Sequence, residues 1–248
     1  MNESGPRPIT NRPALLLLPG LLSDEAVWRS QIDALANRVQ CVVARYGSRD
    51  SLTAMAEAAL EAAPAGFALA GHSMGGRVAL EVMRLAPQRV RGLALLNTGY
   101  QPLPQGEAGE TERRGRLRLL ALARERGMRA MGEEWVQGMV HPDRLQDRSL
   151  IDSVLDMFER HTPDAFAAQV QALLQRPDGE PVLDMIRCPT LVLCGREDGW
   201  SPVPRHQAMV DKIAGARLAV IEHCGHMATL EQPATVSAAF AEWLARIS

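Results

Sequence analysis

Six short runs, mostly apolar, recur along the chain at 14–18, 39–44, 66–70, 91–96, 189–194 and 217–221. The first, Ala-Leu-Leu-Leu-Leu, is apolar at every position and stops at Pro19-Gly20. A run so short and uniform, ended by turn residues, predicts a strand buried on both faces. Between the runs the period changes from two to near four. Val27, Trp28, Ile32 and Leu35 recur at helical spacing within 25–38. Ser51 stands where an N-cap belongs, before a helix that Pro64 stops. Further helices are predicted over 74–85, 203–213 and 233–247. Buried strands alternating with helices give an α/β fold: a mostly parallel sheet of about six strands, covered on both faces.

The rhythm breaks once. From 99 to 180 no run reads as a strand, and helical stretches at 112–126, 128–139, 149–160 and 163–174 are separated by glycines and prolines. Leu117, Leu120 and Ala121 share one stripe, Val154, Met157 and Phe158 a second, and Phe166, Val170 and Leu173 a third. Each stripe needs a surface to cover. An excursion of roughly 80 residues is rarely a plain loop. Residues 1–99 and 181–248 are therefore expected to form an α/β core, and 100–180 a helical lid, inserted after the fourth strand and not independent of it. A lid there lies over the carboxyl edge of the sheet, where open α/β sheets bind ligands.

Composition narrows the partners. Of 248 residues, 46% are hydrophobic, enough for one large core. A formal net charge of −2 removes the global electrostatic case for nucleic acid or an anionic membrane. The polar, Pro-rich start up to Pro13 and the five-residue run after it give no signal core and no bilayer span, so a cytoplasmic chain is expected. Basic charge is almost all arginine, Lys212 being the single lysine. Cys41, Cys188, Cys194 and Cys224 form no C-x-x-C pair and are expected to be reduced and buried. The expected partner is a small-molecule substrate, with the chain a monomer or homodimer.

Chemistry enters at Gly71-His72-Ser73-Met74-Gly75, a G-x-S-x-G pentapeptide with a predicted strand before it and a helix after it. That context defines a nucleophile elbow: a sharp turn that lifts the serine hydroxyl above the sheet edge, with small residues on either side. It also places the Met74 N–H at a helix N-terminus, beside any oxyanion that forms. A serine hydroxyl needs a base. Of six histidines, His226 follows the last strand and so reaches the same edge; His223 is its rival. The base needs an acid that fixes its tautomer. Asp198 ends the loop after the fifth strand and is favoured over Glu197, because Gly199 lets the chain turn there. The loop after the first strand should supply the second oxyanion donor, Leu21 N–H, with Leu22 as the alternative. Gly20 lets the backbone approach the substrate. Candidates to line the pocket are Gly20, Leu22, Trp135, Met139, Phe158 and Trp200. No carboxylate or cysteine spacing joins His223 and His226 into a zinc site, and no metal or other cofactor is expected.

Together these residues resemble the α/β-hydrolase superfamily, and within it the lidded serine esterases, lactonases and carbon–carbon bond hydrolases. The carriers are Leu18-Pro19-Gly20 with Trp28, Gly71 to Gly76, Gly195-Arg-Glu-Asp198 with Pro202, and Gly225-His226 with Glu231 and Pro233. The order Ser73, Asp198, His226 is the triad order of that superfamily. Serine at 73 argues against its dehalogenase and epoxide hydrolase branches, whose nucleophile is aspartate. Three departures stand out. Pro19-Gly20 replaces a usual His-Gly, Arg45-Tyr46-Gly47-Ser48 is shorter than the usual segment after the second strand, and only 13 residues precede the first strand, so the opening hairpin of larger members is expected to be missing.

The resemblance implies hydrolysis of a small carboxylic ester, thioester or lactone through an acyl-enzyme. Cleavage of a carbon–carbon bond in a carboxylate-bearing diketone is the alternative, with Arg113, Arg114, Arg116 and Arg118 available to meet the carboxylate, although a charged helix of this kind is more often a solvated face. A low-turnover ligand-binding protein on the same fold is a third possibility, from another class. Rapid turnover of a short aryl ester separates it from the first two.

Overall fold

The structure is a computed structural model that describes residues 12–247. Most of the polar N-terminal segment, and with it the expectation about an opening hairpin, lies outside the described residues. Six strands, β1 (Ala14–Leu18), β2 (Gln40–Val43), β3 (Phe67–His72), β4 (Val90–Leu96), β5 (Thr190–Gly195) and β6 (Arg217–Ile221), form one sheet in the order β2-β1-β3-β4-β5-β6. Every pairing is parallel: Leu16 lies opposite Val42 and Leu69, Leu95 opposite Val192, and Leu193 opposite Ala219. β1, β3 and β5 are buried along almost their whole length, as uniform apolar runs require. From β1 the chain moves outward to β2 and then returns to the other side of β1 as β3. The reversal opens a crevice between the carboxyl ends of β1 and β3.

Helices α1 (Arg29–Leu35), α2 (Leu52–Ala62) and α3 (Met74–Leu85) join the first four strands. Ser51 caps α2 as its spacing implies, its Oγ accepting from the Ala54 N–H at 3.1 Å. The helix expected over 25–38 divides: Asp24 caps a 3-10 turn at Glu25–Trp28, and α1 follows.

A helical insertion fills the space between β4 and β5: α4 (Glu107–Arg126), α5 (Met128–Trp135), α6 (Arg148–Glu159), α7 (Pro163–Leu174) and the single turn α8 (Glu180–Leu183). Asp147 and Thr162 cap α6 and α7 through the N–H groups of Leu150 and Ala165. The apolar stripes of α6 and α7 are buried as expected, and α5 packs between α4 and α6. The stripe on α4 is phased differently. Leu117 is 47% exposed, and the inward face runs instead through Glu112, Arg116, Leu119, Leu120 and Ala123. Two charged residues on that face hide its period. α4 also begins before 112, in a polar, glycine-containing turn whose Glu107 and Glu110 suit a helix N-terminus.

The core resumes with α9 (Val203–Lys212), α10 (Ala228–Glu231) and α11 (Pro233–Leu244). α1 packs with α10 and α11, and α2 packs with α3. Cys41, Cys188, Cys194 and Cys224 are free thiols; the last two are buried and the first two half-buried. No helix among the described residues is long and apolar enough to cross a membrane.

Candidate active site

Ser73 stands between β3 and α3 with φ 56° and ψ −118°, a conformation that survives only where its surroundings enforce it. Its N–H donates to Leu96 O at 2.9 Å, and its carbonyl accepts from Thr98 Oγ1 at 2.7 Å and the Gly76 N–H at 3.0 Å. The turn is so tight that a Cβ on Gly71 would lie 2.3 Å from Gly75 O, and one on Gly75 would lie 2.0 Å from Leu18 O. Only glycine fits either position.

His226 Nε2 lies 2.9 Å from Ser73 Oγ, and His226 Nδ1 lies 2.9 Å from Asp198 Oδ2. Asp198 Oδ1 accepts from the N–H groups of Trp200 and Ser201 at 3.0 and 2.9 Å, and Oδ2 also accepts from Asn97 Nδ2 at 3.0 Å. Burial alone would raise this carboxyl's pKa. The charge and N–H of His226, the Asn97 amide and the Ser201 N–H outweigh it and hold Asp198 well below the usual carboxylate range. An ionised Asp198 fixes the imidazole proton on Nδ1 and leaves the Nε2 lone pair for the serine hydroxyl. Glu197, the rival acid, is exposed and accepts from the Cys224 N–H at 2.9 Å instead.

Several residues that the motifs do not single out hold this arrangement. The buried Glu231 carboxylate accepts from the N–H groups on both sides of His226, Gly225 at 3.0 Å and Met227 at 3.1 Å, and from the His141 N–H of the lid at 2.7 Å. The His226 N–H donates to Met139 O at 2.6 Å. Burial lowers the His72 pKa to about 4, so its ring is neutral, and its Nε2 donates to His226 O at 2.9 Å. Asn97, at φ 48°, donates to both Asp198 and Gly225 O. A hydrogen bond to a charged group contributes roughly 1.5–3 kcal/mol. Asn97→Gly removes the amide without penalising the positive φ, and should lower kcat about ten- to a hundredfold with KM little changed. Steady-state kinetics showing an unchanged kcat would remove Asn97 from the machinery.

The loop after β1 lies against the elbow: a Cβ on Gly20 would be 3.2 Å from Ser73 Cβ. Leu21 and Met74 both border the cavity over Ser73. Met74 opens α3, so its N–H has no helical acceptor, and the Leu21 N–H has no acceptor among the described residues. Leu22 differs. Its N–H donates to Oε1 of the buried lid residue Gln169 at 2.8 Å, and its side chain is fully buried away from the cavity. It is therefore neither a free donor nor a lining residue. No sequence motif signals Gln169, whose partner lies in another part of the chain. The short segment after β2 stays outside the cavity too; Tyr46 there donates its hydroxyl to Pro19 O at 3.1 Å and braces the Gly20 loop.

The cavity measures about 730 Å³ and runs from Ser73 under the lid. Gly20, Trp135, Met139 and Trp200 line it as expected. The Trp135 and Trp200 rings stack with centroids 5.5 Å apart, and Trp200 lies 5.0 Å from the His226 ring. Phe158 does not reach the cavity. It is fully buried behind Trp135, centroids 5.2 Å apart, and backs that wall. His223 is exposed, packs its ring on His141 with centroids 6.0 Å apart and does not line the cavity, and no group of three or more metal-ligating side chains occurs among the described residues.

The alpha/beta hydrolase family model matches residues 15–239. A pimeloyl-[acyl-carrier protein] methyl ester esterase of Nitrosomonas europaea is 26% identical over 90% of this chain and 92% of its own length. A putative carbamate hydrolase of Azorhizobium caulinodans is 29% identical over 86% and 83%. Among solved structures, a thermophilic esterase from Thermogutta terrifontis superposes with a TM-score of 0.85 at 28% identity, covering 96% of this chain and 91% of that one. A match this long, with the sheet order and the elbow already described, means that the chain belongs to the alpha/beta hydrolase family.

Proposed function

We propose that the protein is a serine hydrolase that cleaves a small carboxylic ester, or a related thioester or lactone, through an acyl-enzyme on Ser73. The observation that carries this reading is the unbroken line of hydrogen bonds from Ser73 Oγ through His226 to Asp198. Esterases among the relatives support it. His226 Nε2 takes the Ser73 proton as Oγ attacks the substrate carbonyl carbon. The N–H groups of Leu21 and Met74 receive the oxyanion. Collapse expels the alcohol, thiol or ring oxygen, which takes the proton from His226. Water then repeats the sequence on the acyl-enzyme and releases the acid.

The experiment is direct. Acid-quenching the enzyme during turnover of a p-nitrophenyl ester and mapping the adduct by mass spectrometry should find the acyl group on the peptide that contains Ser73. An acyl group on another residue, or turnover without any adduct or fluorophosphonate labelling of Ser73, contradicts the mechanism.

The lid is proposed to set which acyl groups fit. Trp135→Ala and Met139→Ala should shift the ratio of kcat/KM between short and long p-nitrophenyl esters by about 1–3 kcal/mol. The Met139 change leaves its carbonyl, and so the bond to the His226 N–H, in place. Equal ratios in wild type and both variants would place acyl selection elsewhere.

A further inference from the structure

The wall opposite the tryptophans is built from charge. Arg77, Arg116, Arg176 and Arg205 all border the same cavity as Ser73, with Glu112 as the single acid among them. Glu112 is already shared. Arg176 grips it with two bonds of 2.7 and 2.8 Å, and Arg116 Nε donates to it at 2.9 Å. Arg77 and Arg205 donate only to backbone carbonyls, Gln101 O and Trp200 O, both at 2.8 Å. Neither has a carboxylate partner among the described residues. Yet they are crowded. Gln101 O also accepts from Arg176 Nε at 3.2 Å, so Arg77 and Arg176 converge on one oxygen. A Cβ on Gly99 would meet Arg205 Cδ at 2.8 Å and Arg77 Nη2 at 3.2 Å, so these two side chains meet over one residue. Four guanidiniums against one carboxylate leave a net charge of three in a partly desolvated pocket. Burial and then the charges of Arg176 and Arg205 lower the Arg77 pKa to about 9, which still leaves it cationic at neutral pH.

Such repulsion is tolerated where an anion relieves it. The place is well defined. Arg77 lies four residues into the helix that Ser73 caps, about 6 Å along its axis, and helical side chains lean toward the N-terminus. We propose that Arg77 and Arg205, backed by Arg116 and Arg176, bind a carboxylate carried by the substrate, so that the preferred substrate is the ester or thioester of an acid with a second, ionised carboxyl a few carbons from the scissile carbonyl. This rests on the ester-hydrolase reading above. The aromatic wall takes the uncharged part of the same molecule. Arg113, Arg114 and Arg118 take no part: they lie outside the cavity, each paired with an acid of the lid surface, Glu110, Glu107 and Glu134.

The test compares monomethyl glutarate with methyl pentanoate, matched in length and differing in charge. Wild-type enzyme should favour the anionic ester at least tenfold in kcat/KM, and in Arg77→Met and Arg205→Met the ratio should fall toward one. Hydrolysis of methyl pentanoate with no preference for the half-ester would overturn the carboxylate site and leave the serine mechanism standing. Preference retained in both variants would overturn the assignment to these arginines. Binding is measured separately by calorimetry of glutarate with the Ser73→Ala protein, so that the site is tested even if neither ester is turned over. Saturable binding, weakened at least tenfold by adding Arg77→Met, supports it. No binding, or inorganic phosphate binding more tightly than glutarate, overturns it.

Discussion

Ser73→Ala should abolish ester hydrolysis and fluorophosphonate labelling while the protein stays folded. The elbow is held by backbone groups that alanine keeps: the Ser73 N–H on Leu96 O and the Ser73 carbonyl under Thr98 Oγ1 and the Gly76 N–H. The φ of 56° strains alanine about as much as serine, so the substitution adds no new backbone cost. What disappears is the Oγ that lies 2.9 Å from His226 Nε2. Loss of a triad member removes roughly three to six orders of magnitude in kcat, and the rate that remains above that in water is what the proposed oxyanion donors and substrate binding would supply. Kinetics and thermal melting on the same preparation check both halves. An alanine variant that kept more than a few per cent of wild-type kcat, with the wild-type melting temperature, would end the serine mechanism.

The parts of this site that a reader can find in the sequence are those whose chemistry is local. The elbow is legible because the strand, the glycines and the helix that create its strain are contiguous with Ser73. His226 and Asp198 are legible as loop residues at the ends of strands, because a parallel sheet sends all such loops to one edge. Strands β1 and β6 and helices α3 and α7 have the bounds the pattern predicts, since short, mostly apolar runs, Pro163 and the Ser73 turn mark their ends. The supports are not local. Asn97, Glu231 and Gln169 act on partners brought close only by folding, and Leu22 is excluded as a donor by a glutamine of the lid. The arginine wall is hidden for another reason. A charged helix face normally reads as solvent-facing, and on α4 that reading shifts the apolar stripe and turns Glu112 and Arg116 outward. The one-turn helices α8 and α10 are too short to show any period.

Asp198→Asn should lower kcat by about 10⁴-fold, and the wiring of the carboxylate explains why an isosteric change is so costly. All four contacts of Asp198 come from donors: two backbone N–H groups on Oδ1, and Asn97 Nδ2 and His226 Nδ1 on Oδ2. An amide has one oxygen. Turning its NH₂ toward Trp200 and Ser201 sets donors against two fixed backbone donors. Turning it toward Oδ2's place keeps those two bonds but makes it face His226 as a donor. The imidazole then accepts at Nδ1 and carries its proton on Nε2, where it cannot take the one from Ser73. Glu197→Gln changes an exposed acceptor for the Cys224 N–H and should cost little. The reverse ranking in kcat would move the acid to Glu197. A second readout comes from stability. The folded-state pKa of Asp198 lies below its ordinary value of 3.8, so its ionised form stabilises the fold in full above 3.8, and the contribution drains away as pH falls from there through the lower folded-state value. Acid unfolding of Asp198→Asn should therefore depend less steeply on pH below about 4 than that of the wild type; equal slopes would mean that the carboxyl titrates alike in the folded and unfolded chain and that its hydrogen bonds do not stabilise the ionised form.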